Sequence, residues 1–362
     1  MSVEIVFWTV VLARFALPLF IPLFPLPAII ACLLLDGVDQ TIFQTFGYDP
    51  PFYQGYDKAM DVFYLSIAYL ASLRNWTNPS AVRVSRFLFF YRQIGVVAFE
   101  LTGARWLLMV FPNTFEYFFI AYEGVRTRRN PLRYSFKFWV IVAAAIWIFV
   151  KLPQEYWIHI AQLDLTDTIR DVSWFLPTLI VAVLALLAVV WFVVRPRLSP
   201  ADWSWKFRAD PLPEGIDEAS ERAAYQAAHR KFLDSTTLEK AFLIGLISII
   251  FGEVLPGVEA SSLQVFLGIA VFVVINAAIG LWAARRGYSW NSAAVSFGIV
   301  FAVNVVLVVL ADVLLRRGPG QLHLVDGLFF IFLFSILTTL YDRYRPIADY
   351  RAEHSDRTGA ER

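Results

Sequence analysis

Long apolar runs separated by short polar turns recur from one end of the chain to the other. Crossing about 30 Å of hydrocarbon takes about 20 residues of helix, and in lipid only a helix or a closed barrel satisfies its own backbone polar groups. The pattern predicts spans near 3–22, 26–45, 57–73, 86–110, 136–158, 173–194, 241–257, 263–284, 291–315 and 324–341. A shorter apolar piece, 113–123, opens just after Pro112 with Asn113 placed as an N-cap and Glu116 at the third helical position. It is too short to cross comfortably and is predicted to be an interfacial or re-entrant helix. The expected fold is therefore all-α, a polytopic transmembrane helical bundle of about ten spans plus that short helix.

One long polar insert interrupts the apolar runs, from Arg195 to Lys240, with eight Lys or Arg interleaved with eight Asp or Glu. An amphipathic helix is expected within it, around Ile216 to Leu233. The insert divides the chain into an N-terminal six-span bundle (1–194), a polar cytoplasmic segment (195–240), a C-terminal four-span bundle (241–342) and a charged tail (343–362) that lacks apolar periodicity and is expected to be mobile. No sequence repeat relates the two groups.

Orientation follows from the Lys and Arg of short loops. With ten spans, the segment Arg126–Arg133, the insert, Arg285–Arg286 and the tail share one side, taken as cytoplasmic. The loop 74–85, with Arg74 and Arg83, then falls outside, against the rule. If 113–123 crosses instead, there are eleven spans and that loop becomes cytoplasmic, with the aspartates described below on the far side.

Composition agrees with the pattern: 58% of the 362 residues are hydrophobic and 17% charged, shares that a water-soluble core and surface could not divide between them. A net charge of +1 gives no reason to expect a nucleic-acid partner; the expected partner is the lipid bilayer, most simply the plasma membrane of a bacterium, with oligomerisation left open. The single cysteine, Cys32, lies in an apolar run and makes no intrachain disulfide. Residues Met1 to Trp8 carry no basic region, so the N-terminus is read as retained.

Chemistry concentrates in the first hairpin. Charged groups at membrane depth cost a few kcal/mol each unless paired, hydrated or metal-bound. Asp36 and Asp39 lie three apart near the end of the second span, and Asp57 and Asp61 four apart at the start of the third, each pair on one helix face. The short connection 47–55, with Pro50 and Pro51, makes the two helices antiparallel neighbours, so the four carboxylates can converge below one surface. Hard oxygen donors of this kind suit Mg²⁺, Mn²⁺ or Ca²⁺.

The spacing Asp36-x2-Asp39-x17-Asp57-x3-Asp61 resembles the signature of the CDP-alcohol phosphotransferases, membrane enzymes that make phospholipid head groups. The resemblance implies Asp36, Asp39 and Asp57 as metal ligands, Asp61 as ligand or as the base that deprotonates the acceptor alcohol, and Mg²⁺ or Mn²⁺ as cofactor. It covers residues 36–61 and the hydrophobic layout of the first six spans. Gln40, Phe43-Gln44 and Tyr53 stand where the family has Gly, Ala-Arg and Gly.

Arg92, Glu100 and Arg105 in the fourth span are expected to grip a substrate phosphate or to pair with one another, and Arg14 is a weaker candidate of the same kind. Asp164, Asp167 and Asp171 are read as helix-capping acids, Lys151 and Glu155 as an ion pair around Pro153, and Glu253, Asn276, Asn304 and Asp312 as a conduit or interhelical hydrogen bonds. His159, His229, His323 and His354 have no metal-ligand spacing. The first expectation is a metal-dependent phosphoalcohol transferase acting on a lipid-linked or nucleotide-activated substrate in lipid metabolism. The alternatives are an ion- or proton-coupled transporter or channel, which needs a polar path reaching both surfaces, and a non-catalytic membrane subunit.

Overall fold

A computed structural model describes residues 3–47, 53–161, 163, 165–254, 261–315 and 324–360, and these residues form helices without a strand. The principal helices are α1 (Val3–Ala16), α2 (Pro25–Thr45), α3 (Tyr53–Asn75), α4 (Pro79–Thr102), α5 (Thr114–Arg126), α6 (Phe136–Ile160), α7 (Phe175–Arg197), α8 (Ala219–His229), α9 (Ser235–Val254), α10 (Ser262–Arg285), α11 (Ala293–Leu315) and α12 (Leu324–Ala360). The connection 48–52 between α2 and α3, with Pro50 and Pro51, lies outside the described residues, as do Asp164, His323 and the side chains of Asp167 and Asp312.

Five of the described helices are long and apolar enough to cross a membrane: α2, α6, α7, α9 and α10. That is fewer than the ten expected, and packing gives a reason. Helix α3 carries Asp57, Lys58, Asp61 and Arg74, yet from Ala59 to Leu73 all its residues but Asp61 are buried. A helix enclosed by protein needs no lipid-facing apolar stripe, so its hydropathy falls below that of a helix with a free face. Helix α7 is the opposite case: none of its residues is buried, and it is apolar all round. The buried core is continuous from α2, α3 and α4 through α5 to Leu243–Phe251 of α9 and Leu333, Leu337 and Tyr341 of α12, so residues from both sides of the polar insert share it.

Turns identify which helix ends lie together. Arg74 Nη1 and Asn75 Nδ2 each donate to Pro22 O at 3.1 Å, and Asn78 Nδ2 donates to Pro131 O at 2.9 Å and Tyr134 O at 2.8 Å. The insert joins the same layer: Ala209 N donates to Leu23 O at 2.9 Å and Trp203 Nε1 to Arg126 O at 3.1 Å. Arg351 of the last helix donates to Arg74 O. The turns 21–24, 75–78 and 127–134, the insert and the end of α12 therefore form one basic face, and the α2–α3 end lies at the opposite end of α3.

Because 78 and 131 meet, the chain that leaves this face along α4 has returned to it by residue 130. The return runs through a five-residue helix, Trp106–Val110, and then α5. The predicted interfacial position of 113–123 is corrected here: Phe115, Phe118, Phe119 and Tyr122 of α5 are fully buried in the core. Thirteen residues of helix span only about 20 Å, but α5 starts well inside the bundle, where Arg92 Nη1 donates to Phe111 O at 3.0 Å. Gly95 makes room for that approach, since a Cβ there would sit 2.1 Å from the Phe111 Cβ.

Two further expectations change. The segment after Asp342 is not a detached tail; α12 continues through it, held by Lys240 to Asp342 at 2.7 Å, Arg230 to Asp349 at 3.0 Å and Tyr225 to Glu353 at 2.8 Å. The amphipathic helix expected around 216–233 is α8, shorter at both ends, started by a capping box between Glu218 and Glu221.

Candidate functional site

The four aspartates of the first hairpin converge, and what they converge on is Arg14. Its guanidinium donates from Nη1 to Asp39 Oδ2 and from Nη2 to Asp36 Oδ1. It also donates from Nη1 to Asp57 Oδ1 at 3.0 Å and from Nη2 to Asp61 Oδ1 at 3.1 Å. Asp39 and Arg14 are buried, while Asp36, Asp57 and Asp61 keep part of their surface exposed. Tyr56 covers the group from one side, with Arg14 Cζ 5.5 Å from the ring centroid, and the rings of Phe7 and Phe43 pack against it at 6.3 and 6.4 Å.

Charge decides what such a cluster needs. Four ionised carboxylates against one guanidinium leave a formal balance of −3, and the cost of holding that below a membrane surface favours a further cation or proton. Asp36, Asp57 and Asp61 each offer an oxygen within 4.8 Å of the others. That spacing makes them a candidate site for a hard divalent cation such as Mg²⁺, Mn²⁺ or Ca²⁺. Asp39, expected as a fourth ligand, is the most enclosed of the acids and faces Arg14.

A second polar group adjoins the first. Tyr64, one turn beyond Asp61 on α3, donates to Glu116 Oε1. Glu116 Oε2 accepts from Asn113 Nδ2 at 3.0 Å and lies 3.9 Å from Lys151 Nζ. Glu155 then accepts from the Asn113 backbone at 3.0 Å and pairs with His159 Nε2 at 3.0 Å. The expected Lys151–Glu155 pair gives way to other partners: Lys151 donates to Gln154 Oε1 at 3.0 Å and faces Glu116, while Glu155 pairs with His159. Pro153 allows this, because the helix on both sides of 152–155 widens into π turns.

Arg92 and Glu100 do not share a group. Arg92 binds Phe111 O. Glu100, eight residues and about 12 Å further along α4, pairs with Lys58 at 3.6 Å, the neighbour of Asp57. Lys58 also sits 3.9 Å from the Phe99 ring centroid. Lys58, Tyr64 and Tyr56 join the site only in the structure; a charge adjoining Asp57 marks Lys58 in the chain, whereas the tyrosines follow only from packing. Elsewhere, Asn276 Nδ2 donates to Asn304 Oδ1 at 2.6 Å and Asn304 Nδ2 to Ser335 Oγ at 3.0 Å, which is interhelical bonding. Glu253 accepts from Ser262 at 2.7 Å. Asp171 is exposed and held below the usual carboxylate range by the hydrogen bond from Arg170.

The polar groups near the hairpin and those near the basic face use different partners. Glu123 of α5 accepts from Trp76 Nε1 at 2.8 Å and pairs with Arg126, which reaches Asp210 at 3.3 Å. Between Glu116 and Glu123 lies a block of buried rings: Trp76 stacks on Tyr122 at 3.8 Å, and Phe118 meets Trp139 at 5.9 Å.

Comparison of the chain with known protein families, with curated proteins and with solved structures finds no match. The functional reading therefore rests on the geometry of this site.

Proposed function

We propose that the protein is a membrane-embedded, divalent-metal-dependent transferase of a lipid-linked phosphoalcohol, working at the end of the bundle away from the basic face. The observation that carries this is the convergence of Asp36, Asp57 and Asp61, with a charge deficit that one arginine does not fill. In this reading the bundle has ten long helices and the short returning helix α5, eleven traverses in all, in the plasma membrane of a bacterium. The basic turns then lie in the cytoplasm, and loop 74–85 no longer breaks that rule. The hairpin acids open to the other side, away from cytoplasmic nucleotides, so the donor is lipid-linked rather than CDP-activated.

Asp36, Asp57 and Asp61 would hold Mg²⁺ or Mn²⁺, which when bound supplies charge neutralisation for a phosphate ester. Arg14 fixes the four carboxylates in one place. Asp61 is the group suited to take the acceptor hydroxyl's proton, and Lys58 stands beside it to meet the donor's phosphate. The ring block along α5 favours a site open to one side over a conduit through the membrane, which disfavours the channel alternative.

A second reading has its own observation. Because Arg14 reaches all four acids, the cluster could serve as an internal tie in a non-catalytic subunit. Metal analysis of the purified chain separates the two. The transferase reading expects bound divalent metal in the wild type and its loss in Asp57→Asn and Asp61→Asn; a correctly folded wild type that binds neither Mn²⁺ nor Mg²⁺ leaves only the tie.

A further inference from the structure

At the basic face, α8 roofs a cavity of about 200 Å³ whose walls come from α9, α10, α11 and α12. A second cavity of about 270 Å³ lies deeper between α9, α10, α11 and α12, with an almost wholly apolar lining, and the two share Asn276. Asn276 sits nine residues from the basic-face end of α10, about 14 Å down the helix. Together the cavities reach the size of a small-molecule site, about 300–1,000 Å³, and they change from charged to apolar with depth.

The charges of the upper cavity are unbalanced. Of its basic side chains, Lys240 is paired with Asp342 and Arg230 with Asp349. Arg222 instead donates to the carbonyls of Ile216 and Asp217 at 2.9 and 2.6 Å. Arg343 donates to the carbonyls of Trp290 and Asn291 at 3.2 and 3.0 Å. Neutral carbonyls orient a guanidinium without cancelling its charge. Arg222 is buried, and burial together with the nearby Arg343 holds it below the usual arginine range. The other acid in the wall, Asp234, accepts from the Thr237 backbone at 2.8 Å and keeps its charge, but the cations Arg222, Arg230, Lys231, Lys240 and Arg343 still outnumber the wall's acids. Lower in the same wall, the Thr339 hydroxyl is buried and makes no hydrogen bond, an unmet polar group of the kind that a ligand oxygen satisfies.

We propose that these two cavities form one binding site for an anionic phospholipid of the basic-face leaflet. Its phosphate lies against Arg222 and Arg343, its ester oxygens are within reach of the Thr339 hydroxyl, and one acyl chain fills the apolar chamber. A cationic mouth over an apolar slot is the complement of an anionic amphiphile, and a free anion would leave the deeper chamber unused. The inference is independent of the aspartate hairpin.

Two glycines allow a test that spares the fold. A Cβ at Gly280, in the upper wall, or at Gly268, in the lower, meets no atom within 4 Å, so leucine at either position fills space while favouring the helix. The full chain in nanodiscs of phosphatidylcholine doped with either phosphatidylglycerol or further phosphatidylcholine is examined by native mass spectrometry for retained lipid, with inorganic phosphate as a separate arm. The expected result is preferential retention of phosphatidylglycerol, a loss of at least about tenfold in Gly268→Leu, and a loss of about fivefold of the preference in Arg343→Gln. Equal retention of the two lipids overturns the proposal. So does undiminished phosphatidylglycerol in both leucine variants. Phosphate binding that survives Gly268→Leu without any lipid retention in the wild type reassigns the mouth to a free anion and likewise overturns it.

Discussion

Replacing Arg14 by Gln keeps a polar side chain of similar reach but removes the charge that holds the hairpin acids together. At an effective dielectric of about 20, each guanidinium–carboxylate contact near 3 Å is worth about 5 kcal/mol, while two carboxylate oxygens within 4.8 Å of each other repel by at least about 3.5 kcal/mol. For Asp36, Asp57 and Asp61, three such attractions oppose three such repulsions. Without Arg14 only the repulsions remain, and the acids must take up protons, separate or bind a cation. The net cost of stripping one partner from a buried ionic group is about 3–5 kcal/mol. Thermal unfolding of the purified full chain in EDTA should therefore show Arg14→Gln well below the wild type. Adding Mn²⁺ at about a hundred times its dissociation constant should return about 2.7 kcal/mol, and the variant should bind Mn²⁺ more tightly than the wild type because one competing cation is gone. If Arg14→Gln melts with the wild type in EDTA and Mn²⁺ moves neither, the charge argument fails and the metal reading goes with it.

A cysteine at Ser80, in a chain whose buried Cys32 is replaced by alanine, should react with an impermeant thiol reagent from the same side as one placed at Arg197; labelling from opposite sides would contradict the single basic face. Phe119→Ala should cost about 3–5 kcal/mol of stability, because a fully buried ring is lost from the block along α5, and a loss under about 1 kcal/mol in denaturant titration would mean that α5 is not packed as described. Tyr225→Phe should loosen the end of α12, read as faster tryptic cleavage after Arg351. Burial and the Glu353 carboxylate hold the Tyr225 hydroxyl above the usual tyrosine range, so its contribution is complete below pH about 10 and is lost only as pH rises through the higher folded value. Wild-type cleavage at that site should accordingly be unchanged between pH 7 and pH 9, and protection already lost at pH 9 would contradict the contact.

The meeting of the four aspartates was legible in the chain, because spacings of three and four put each pair on one helix face and a short connection with Pro50 and Pro51 makes the two helices neighbours. Helical character was legible for the same kind of reason: long apolar runs in a chain this hydrophobic have no other way to satisfy their backbones. The partner of those acids was not legible. Arg14 stands 22 residues before Asp36 and 47 before Asp61, and only the packing of α1 against α2 and α3 makes it their common counter-ion. Length arguments also misplaced α5, since thirteen residues are too few to cross lipid alone, yet a helix that begins inside a bundle has less distance to cover. The run 57–73 reads as a helix from the sequence although α3 is less apolar than a lipid-facing span, because a helix surrounded by protein can carry charge where one facing lipid cannot. The end of α12 reads as a charged tail because its partners, Lys240, Arg230 and Tyr225, lie more than 100 residues away. Local patterns therefore set where the helices form and which faces carry charge. Only the tertiary arrangement could decide which charges meet and on which face of the bundle the hairpin opens, because those depend on contacts between segments that share no spacing along the chain.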